Sequence, residues 1–548
     1  MKNIHKIAAL STMTLAAFAA TTTGCIDGND WDEDGNYAKT FSPIKFSASQ
    51  TAEGATTVLF ESFSMPGSAF YQIECSTDSF VQETPNDKDL HEVDKSPATL
   101  DVITIMDTTY YARVRAYSET TGFSAWTTLE KYKFKVKSMQ IMNAVAGADI
   151  TPSTITVTWR SGNTVTRIEY GPEGGEMQSV DLSAEELEAC SKTFSDLESM
   201  TTYNFVIYNG TAACGKATAT TSSSGPEAEY MAKFDPKQTM GDQLAAIAAQ
   251  AEADGKTAYS VTMVIPAGVE GMCCPESPDT ENDFILPNGM SITFYGESGN
   301  AADVLYLWKS IGVDGSHTSI KFNNLTLTGP GYVINQKNAC SVDSVIVEDC
   351  NVKVTGNTFL RTQKAEATIK NIVLRNTWFD TVGKGYGLLH YVYVLPNSVL
   401  VDGCTFSNIC TTGKCFFMVD KQNDSDPAQM MESFIITNST FYNFCGNGQY
   451  FLDFGKNGIN GATTYELSNC IFGKTPDEAT NKNIRGAIKD ILAINCYSTT
   501  DCFKVLKGVT ALEVASDGIF TDPANGDFTL KTGVLSENVG DPRWFPAE

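Results

Sequence analysis

Positive charge is what this chain of 548 residues is short of: 39 lysines and arginines stand against 65 aspartates and glutamates, a net charge of −26 at pH 7. That balance repels nucleic acid and anionic lipid headgroups. An acidic polysaccharide would need a local basic patch or a bridging Ca²⁺ to bind. Histidine is scarce, with four residues, and the 15 cysteines form no C-x-x-C pair, which argues against a zinc site. Several cysteines instead recur at one repeated position and read as core thiols. Cys190 and Cys214 stay open as a disulfide pair that spacing does not decide. Long apolar runs are missing as well. The stretch from Ile7 to Ala20 falls below the roughly 20 residues a membrane-spanning helix needs.

That stretch follows the basic start Met1-Lys-Asn-Ile-His-Lys6 and precedes Thr21-Thr-Thr-Gly-Cys25, the layout of an export signal. The end of it resembles the bacterial lipobox, with Thr22 where Leu is usual. The resemblance implies a lipoprotein signal peptide over 1–24 and lipidation of Cys25, the alternative being an ordinary thiol beside a conventional cleavage site. Residues 25–40 include Ile26-Asp-Gly-Asn-Asp-Trp-Asp-Glu-Asp-Gly35, too acidic and apolar-poor to pack, and read as a tether. It is similar to the acidic tag of Bacteroidetes lipoproteins on the outer face of the outer membrane.

Residues 41–137 run as short alternating segments broken by turns, among them Thr57-Val-Leu-Phe-Glu-Ser-Phe63 and Thr109-Tyr-Tyr-Ala-Arg-Val-Arg-Ala-Tyr117. Residues 138–222 repeat the style, with Ile155-Thr-Val-Thr-Trp159 early and a strand through Tyr203 late. Period-two alternation at this spacing predicts two antiparallel β-sandwiches. Both resemble fibronectin type III modules: Trp159 matches the buried Trp, and Tyr110 and Tyr203, each after a Thr-Thr pair, match the tyrosine of the late-strand corner. The first module has Phe60 in place of the Trp. The resemblance implies a spacer, with Trp126 read as core or surface scatter ahead of sugar binding.

After a linker at 223–228, Thr239 and Asp242 cap a helix that Gly255 ends, and the strand Tyr259–Ile265 follows with Pro266-Ala-Gly268. This resembles the N-terminal cap of pectate-lyase-like β-helices. Beyond it the pattern apolar, x, apolar, x, Asn/Asp/Gly, small, x, apolar recurs, beginning at Ile320, Val345, Ile372, Val399, Phe434 and Tyr465. Its fifth position is Asn324, Asp349, Asn376, Gly403, Asn438 and Asn469, spaced by one β-helix coil each. These residues accept the left-handed backbone of a turn between sheets. Cys350, Cys404 and Cys470 follow them, and Phe379, Phe406, Phe441 and Phe472 form an expected aromatic ladder. The fold class is therefore all-β: two fibronectin type III-like sandwiches, then a right-handed parallel β-helix over 229–548 with a short N-terminal capping helix.

The whole, ending in Val539-Gly-Asp-Pro-Arg-Trp544, resembles surface lipoproteins of Bacteroidetes polysaccharide-utilisation clusters, which implies a glycan context without a catalytic motif to carry over. Each coil continues into a second strand: Thr358-Phe-Leu-Arg361, Gly387-Leu-Leu-His390, Phe416-Phe-Met-Val-Asp-Lys421 and Tyr450-Phe-Leu-Asp453. Side by side, these strands gather Arg361, Lys364, His390, Asp420, Lys421, Asp453 and Lys456 on one surface. Tyr386, Tyr391, Tyr393 and Tyr450 are available to stack on sugar rings.

Three functions remain. The favoured one is a surface protein that binds a polysaccharide through the β-helix groove, touching the membrane only through its lipid, with an outer-membrane glycan transporter complex as a further partner. The second is a lyase acting on a uronic-acid glycan: Arg361 or Lys421 is the base, His390 converges with them, and Asp420 and Asp453, which line up, hold Ca²⁺. Hydrolysis needs facing carboxylates and is the weaker case. The third is a structural or adhesive protein whose groove gathers no polar set.

Overall fold

A computed structural model describes residues 39–546 apart from 81–84, 87–88, 130, 132, 270–278, 280–281, 355–356, 421–430, 447, 456–463, 479–482, 486–492 and 504–505. Cys25 and the signal lie outside the described residues.

In the first sandwich, Ser47–Gln50, Thr57–Glu61 and Ala98–Asp101 make one antiparallel sheet. Thr109–Ser118 pairs with Phe70–Ser76, Gly122–Phe123, Thr127–Thr128 and Phe134–Lys135 to make the other. Their inward residues share a core of Phe46, Phe60, Phe63, Tyr71, Ile73 and Val114. Phe60 fills the place of the absent Trp and stacks on Phe46 at 5.8 Å. Tyr110 closes its corner by accepting from the Thr104 and Ile105 amides, both at 3.0 Å. Trp126 carries the guanidinium groups of Arg113 and Arg115, each 4.5 Å from its ring centre. A sugar would have to displace a cation there, so the structural reading of Trp126 holds.

The second sandwich pairs Ile155–Thr158 with Ser191–Phe194. Its other sheet runs in the order Gln178–Asp181, Arg167–Pro172, Thr202–Asn209, Ala212–Thr220. Trp159 is buried, and Tyr203 accepts from the Glu198 amide at 3.0 Å. A short helix, Ala184–Ala189, departs from the all-strand expectation; Ser183 and Glu186 form a capping box that nucleates it. Cys190 and Cys214 are free thiols.

From Tyr230 the chain winds into a parallel β-helix. Counted over the described residues, it has ten-, nine- and eight-stranded parallel sheets, to which the regular coils contribute strands in turn. The six repeat copies are adjacent strands in register: Ile320, Val345, Ile372, Val399, Phe434 and Tyr465 align along the ten-stranded sheet. Length variation among coils therefore falls in the turns. The fifth positions, with Asn495 of the degenerate copy, take φ between 45° and 63°, a region that Gly, Asn and Asp enter most cheaply. Their amides also bond along the axis: Asn469 Nδ2 donates to Asn438 Oδ1 at 3.2 Å and Asn495 Nδ2 to Asn469 Oδ1 at 2.9 Å. The Phe379, Phe406, Phe441 and Phe472 rings stack inside at 5.1, 4.9 and 5.2 Å.

The helix Met240–Ala253 caps this core with Met240, Leu244 and Ala251, and Thr239 accepts from the Asp242 amide at 2.9 Å. Tyr230–Lys233, too short to announce itself by alternation, adds a first strand beside Tyr259–Ile265.

The coils do not run to the end of the chain. After Ala511 a helical turn, Ser516–Ile519, a hairpin of Phe520–Asp522 with Asp527–Leu530, and a 3-10 turn at Pro542–Trp544 pack on the outer face of the nine-stranded sheet, over Trp378, Tyr442, Ile471 and Tyr497. Asp541 is buried there, and its amide donates to Thr440 Oγ1 at 3.0 Å. The terminal Gly-Asp-Pro-Arg-Trp segment is thus a structural strap.

Candidate functional site

The strands of the eight-stranded sheet are two or three residues long, so each sends its first residue (and its third, where there is one) inward and its second outward. Pairing aligns the outward residues of successive coils as Asn335, Arg361, His390, Met418, Asp453 and Arg485. The same alternation corrects the expectation for Tyr391. It is the third residue of Leu389–Tyr391, lies fully buried against Phe417 at 5.8 Å, and cannot meet a sugar. Burial pushes its phenol well above the ordinary value.

A second row is set by the residues that enter these strands. Trp308, Tyr332, Asn357, Tyr386, Lys414 and Tyr450 each precede a strand by two or three positions, one per coil. The two rows meet at Tyr386. Its ring carries the Arg361 guanidinium at 3.8 Å, lies 5.2 Å from the His390 ring and 6.4 Å from Tyr332, and has Lys414 Nζ at 5.9 Å. His390 is fully buried and bonds Asp420 Oδ2 through Nε2 at 2.8 Å. That bond, with the charges of Arg361 and Lys414, holds the Asp420 carboxyl below the usual range against the opposing effect of burial. The Tyr332 phenol is raised by burial, which outweighs the nearby Arg361. Arg361 Nε and His390 Nδ1 are both buried without a hydrogen-bond partner.

Beside this cluster opens a cavity of about 540 Å³, lined by Asp283, Trp308, Lys309, Tyr332, Asn335, Lys337 and Asn357. Lys337 Nζ meets Asp283 Oδ2 at 2.6 Å, and Asn335 Oδ1 accepts from Gln363 Nε2 at 2.6 Å. Tyr332 lines the cavity and stands 6.4 Å from Tyr386, next to the Arg361 cluster. Among the described residues, Lys309, Lys337, Arg361 and Lys414 there stand against Asp283 and Asp420, the reverse of the chain's overall sign.

The sheet thus brings Arg361, Tyr386, His390 and Asp420 together. It does not line up Asp420 with Asp453. Asp453 pairs in register with Met418 and is bound by Arg485 Nε at 2.6 Å, while Asp420 lies beyond that strand and turns to His390, so the two do not act as a joint Ca²⁺ site. Among the described residues no group of three or more His, Cys, Asp or Glu is placed to hold a metal. Tyr450 stands by Arg485 at 5.5 Å, Lys364 is exposed past the end of Leu360–Thr362, and Tyr393 is half-buried. Lys421 and Lys456 lie outside the described residues. The sequence reading missed Trp308, Tyr332, Asn335 and Lys337. Their signal was position: Trp308 precedes Ile311 by the three residues that separate Tyr386 from Leu389, and Tyr332 precedes Ile334 by two.

Residues 434–544 match the model of a family described as a domain of unknown function, DUF5123. The match takes in the last repeat copies and the C-terminal strap. No curated protein matches the sequence. Among solved structures, a two-domain fibronectin type III segment of chicken tenascin is 17% identical, covering 33% of this chain and 98% of its own, with a TM-score of 0.17. The FN1–FN3 domains of chicken CNTN1 are 14% identical, covering 34% of this chain and 65% of theirs, with a TM-score of 0.15. The sandwich assignment here stands on strand pairing and the two tyrosine corners.

Proposed function

We propose that this is a surface protein that captures a polysaccharide in the groove of the eight-stranded sheet, the sandwiches serving as its stalk. The observation that carries the reading is the axial row of Trp308, Tyr332 and Tyr386 flanked by Asn335, Asn357 and Arg361. Aromatic faces pack against the C–H faces of sugar rings, and amide and guanidinium groups bond their hydroxyls. A purely adhesive role gives no reason for this convergence. The export signal and Cys25 support a lipid anchor on the outer membrane, with a glycan transporter complex as partner. Metabolic labelling with a fatty acid, lost on Cys25→Ala, tests the anchor.

The His390–Asp420 contact favours a second reading, a lyase for uronic-acid glycans. It is the weaker one: Asp420, half-exposed, is made a poorer base by the same contact. Titration calorimetry against neutral and uronic-acid polysaccharides, with and without Ca²⁺, tests capture. Ultraviolet absorbance of the unsaturated product tests cleavage. Binding lost in Trp308→Ala without product supports capture; product lost in Asp420→Ala replaces capture by lyase action.

A further inference from the structure

Arg361 and His390 are paired in register on adjacent strands, and each keeps one buried polar atom without a partner, Arg361 Nε–H and His390 Nδ1. The Tyr386 ring lies over the guanidinium and beside the imidazole. Buried polar groups are nearly always bonded, so two such atoms on residues paired across adjacent strands point to an occupant.

Asp420 sets what that occupant must be. A carboxylate only accepts, so Asp420 favours the tautomer with its proton on Nε2, the ring nitrogen facing it, which leaves Nδ1 to accept. The pair is therefore one donor and one acceptor. We infer that Arg361 and His390 together recognise a single ligand hydroxyl, which accepts from Arg361 Nε–H and donates to His390 Nδ1 once the Tyr386 ring turns aside. This rests on the groove as the binding site and adds which atom of the sugar is read. A carboxylate does not suit the pair, because it has no proton for Nδ1 and binds only if His390 first takes one up.

Four histidines in the chain make a ¹⁵N-histidine spectrum easy to assign, with His390→Phe identifying the signal. In the free protein at neutral pH, His390 Nδ1 is expected unprotonated, and on titration with the neutral and uronic-acid oligosaccharides of the panel its resonance shifts without protonation. Asp420→Asn, whose amide can donate to Nε2 and move the ring proton to Nδ1, weakens binding by about tenfold, the worth of one hydrogen bond. A protonated Nδ1 in the free protein overturns the inference, as does proton uptake on binding. An unmoved Nδ1 with binding still lost in Trp308→Ala keeps the groove and removes the hydroxyl reader. No binding to any probe removes both.

Discussion

The indole N–H of Trp544 donates to Thr405 Oγ1 at 2.7 Å, joining residues 139 positions apart. The Thr405 hydroxyl in turn donates a hydrogen bond to Asp541 Oδ2 at 2.7 Å, and Arg543 closes on the same carboxylate. One buried aspartate thus ties the C-terminal strap to the nine-stranded sheet. Asp541→Ala strands these partners and is expected to destabilise the strap by roughly 2–4 kcal/mol. Hydrogen exchange checks it: amides from 516 to 545 lose protection while those of 320–375 keep theirs. Uniform loss would show that the strap holds the whole β-helix.

The ladder makes a different demand. Phe406 lies between Phe379 and Phe441 and is fully buried. Phe406→Ala leaves a cavity that neighbouring coils, fixed by their ladders, cannot close. The expected cost is about 3–5 kcal/mol, read as a lower urea midpoint, and Phe406→Leu recovers most of it.

These two elements also mark how far the sequence could be read. The ladder was legible because Asn, Asp or Gly at a left-handed turn and an apolar residue three places on are imposed by every coil, so the signal repeats. The strap was not, since Asp541 and Thr405 meet only once and no periodicity announces them. The site falls between. Arg361 and His390 were placed together because their strands were recognised. Trp308 and Tyr332 were missed because the second strand of each coil was followed in the sequence only from Thr358 onward, one coil past Tyr332. Tyr391 failed because in a three-residue strand a one-position difference decides between core and groove.

Reactivity distinguishes core thiols from metal or redox cysteines. Burial pushes Cys350 and Cys404 up to about 12, so neither forms a thiolate at pH 8. Both are expected to resist an aromatic disulfide reagent in the native protein and to react on unfolding in urea. Fast native labelling of Cys404→Ser and wild type alike would assign the reactive thiol elsewhere; loss of that labelling in Cys404→Ser would show the position is open to solvent.

Asp420 gives the acid limb of stability a specific source. Its folded carboxyl titrates below the unfolded value of roughly 3.9 because His390 bonds the ionised form. A depressed folded value means the unfolded chain binds the proton first, so the contribution is fully present above the unfolded value and fades as pH falls through the folded one. Asp420→Asn removes that dependence. Melting temperatures of wild type and variant are therefore expected to differ at pH 6 and to converge toward pH 2. With its side chain 40% exposed, solvent screens the pair and keeps the difference small. A gap that persists unchanged at pH 2 would mean the carboxylate contributes through packing, and the hydrogen bond to His390 would then not be what holds it in place.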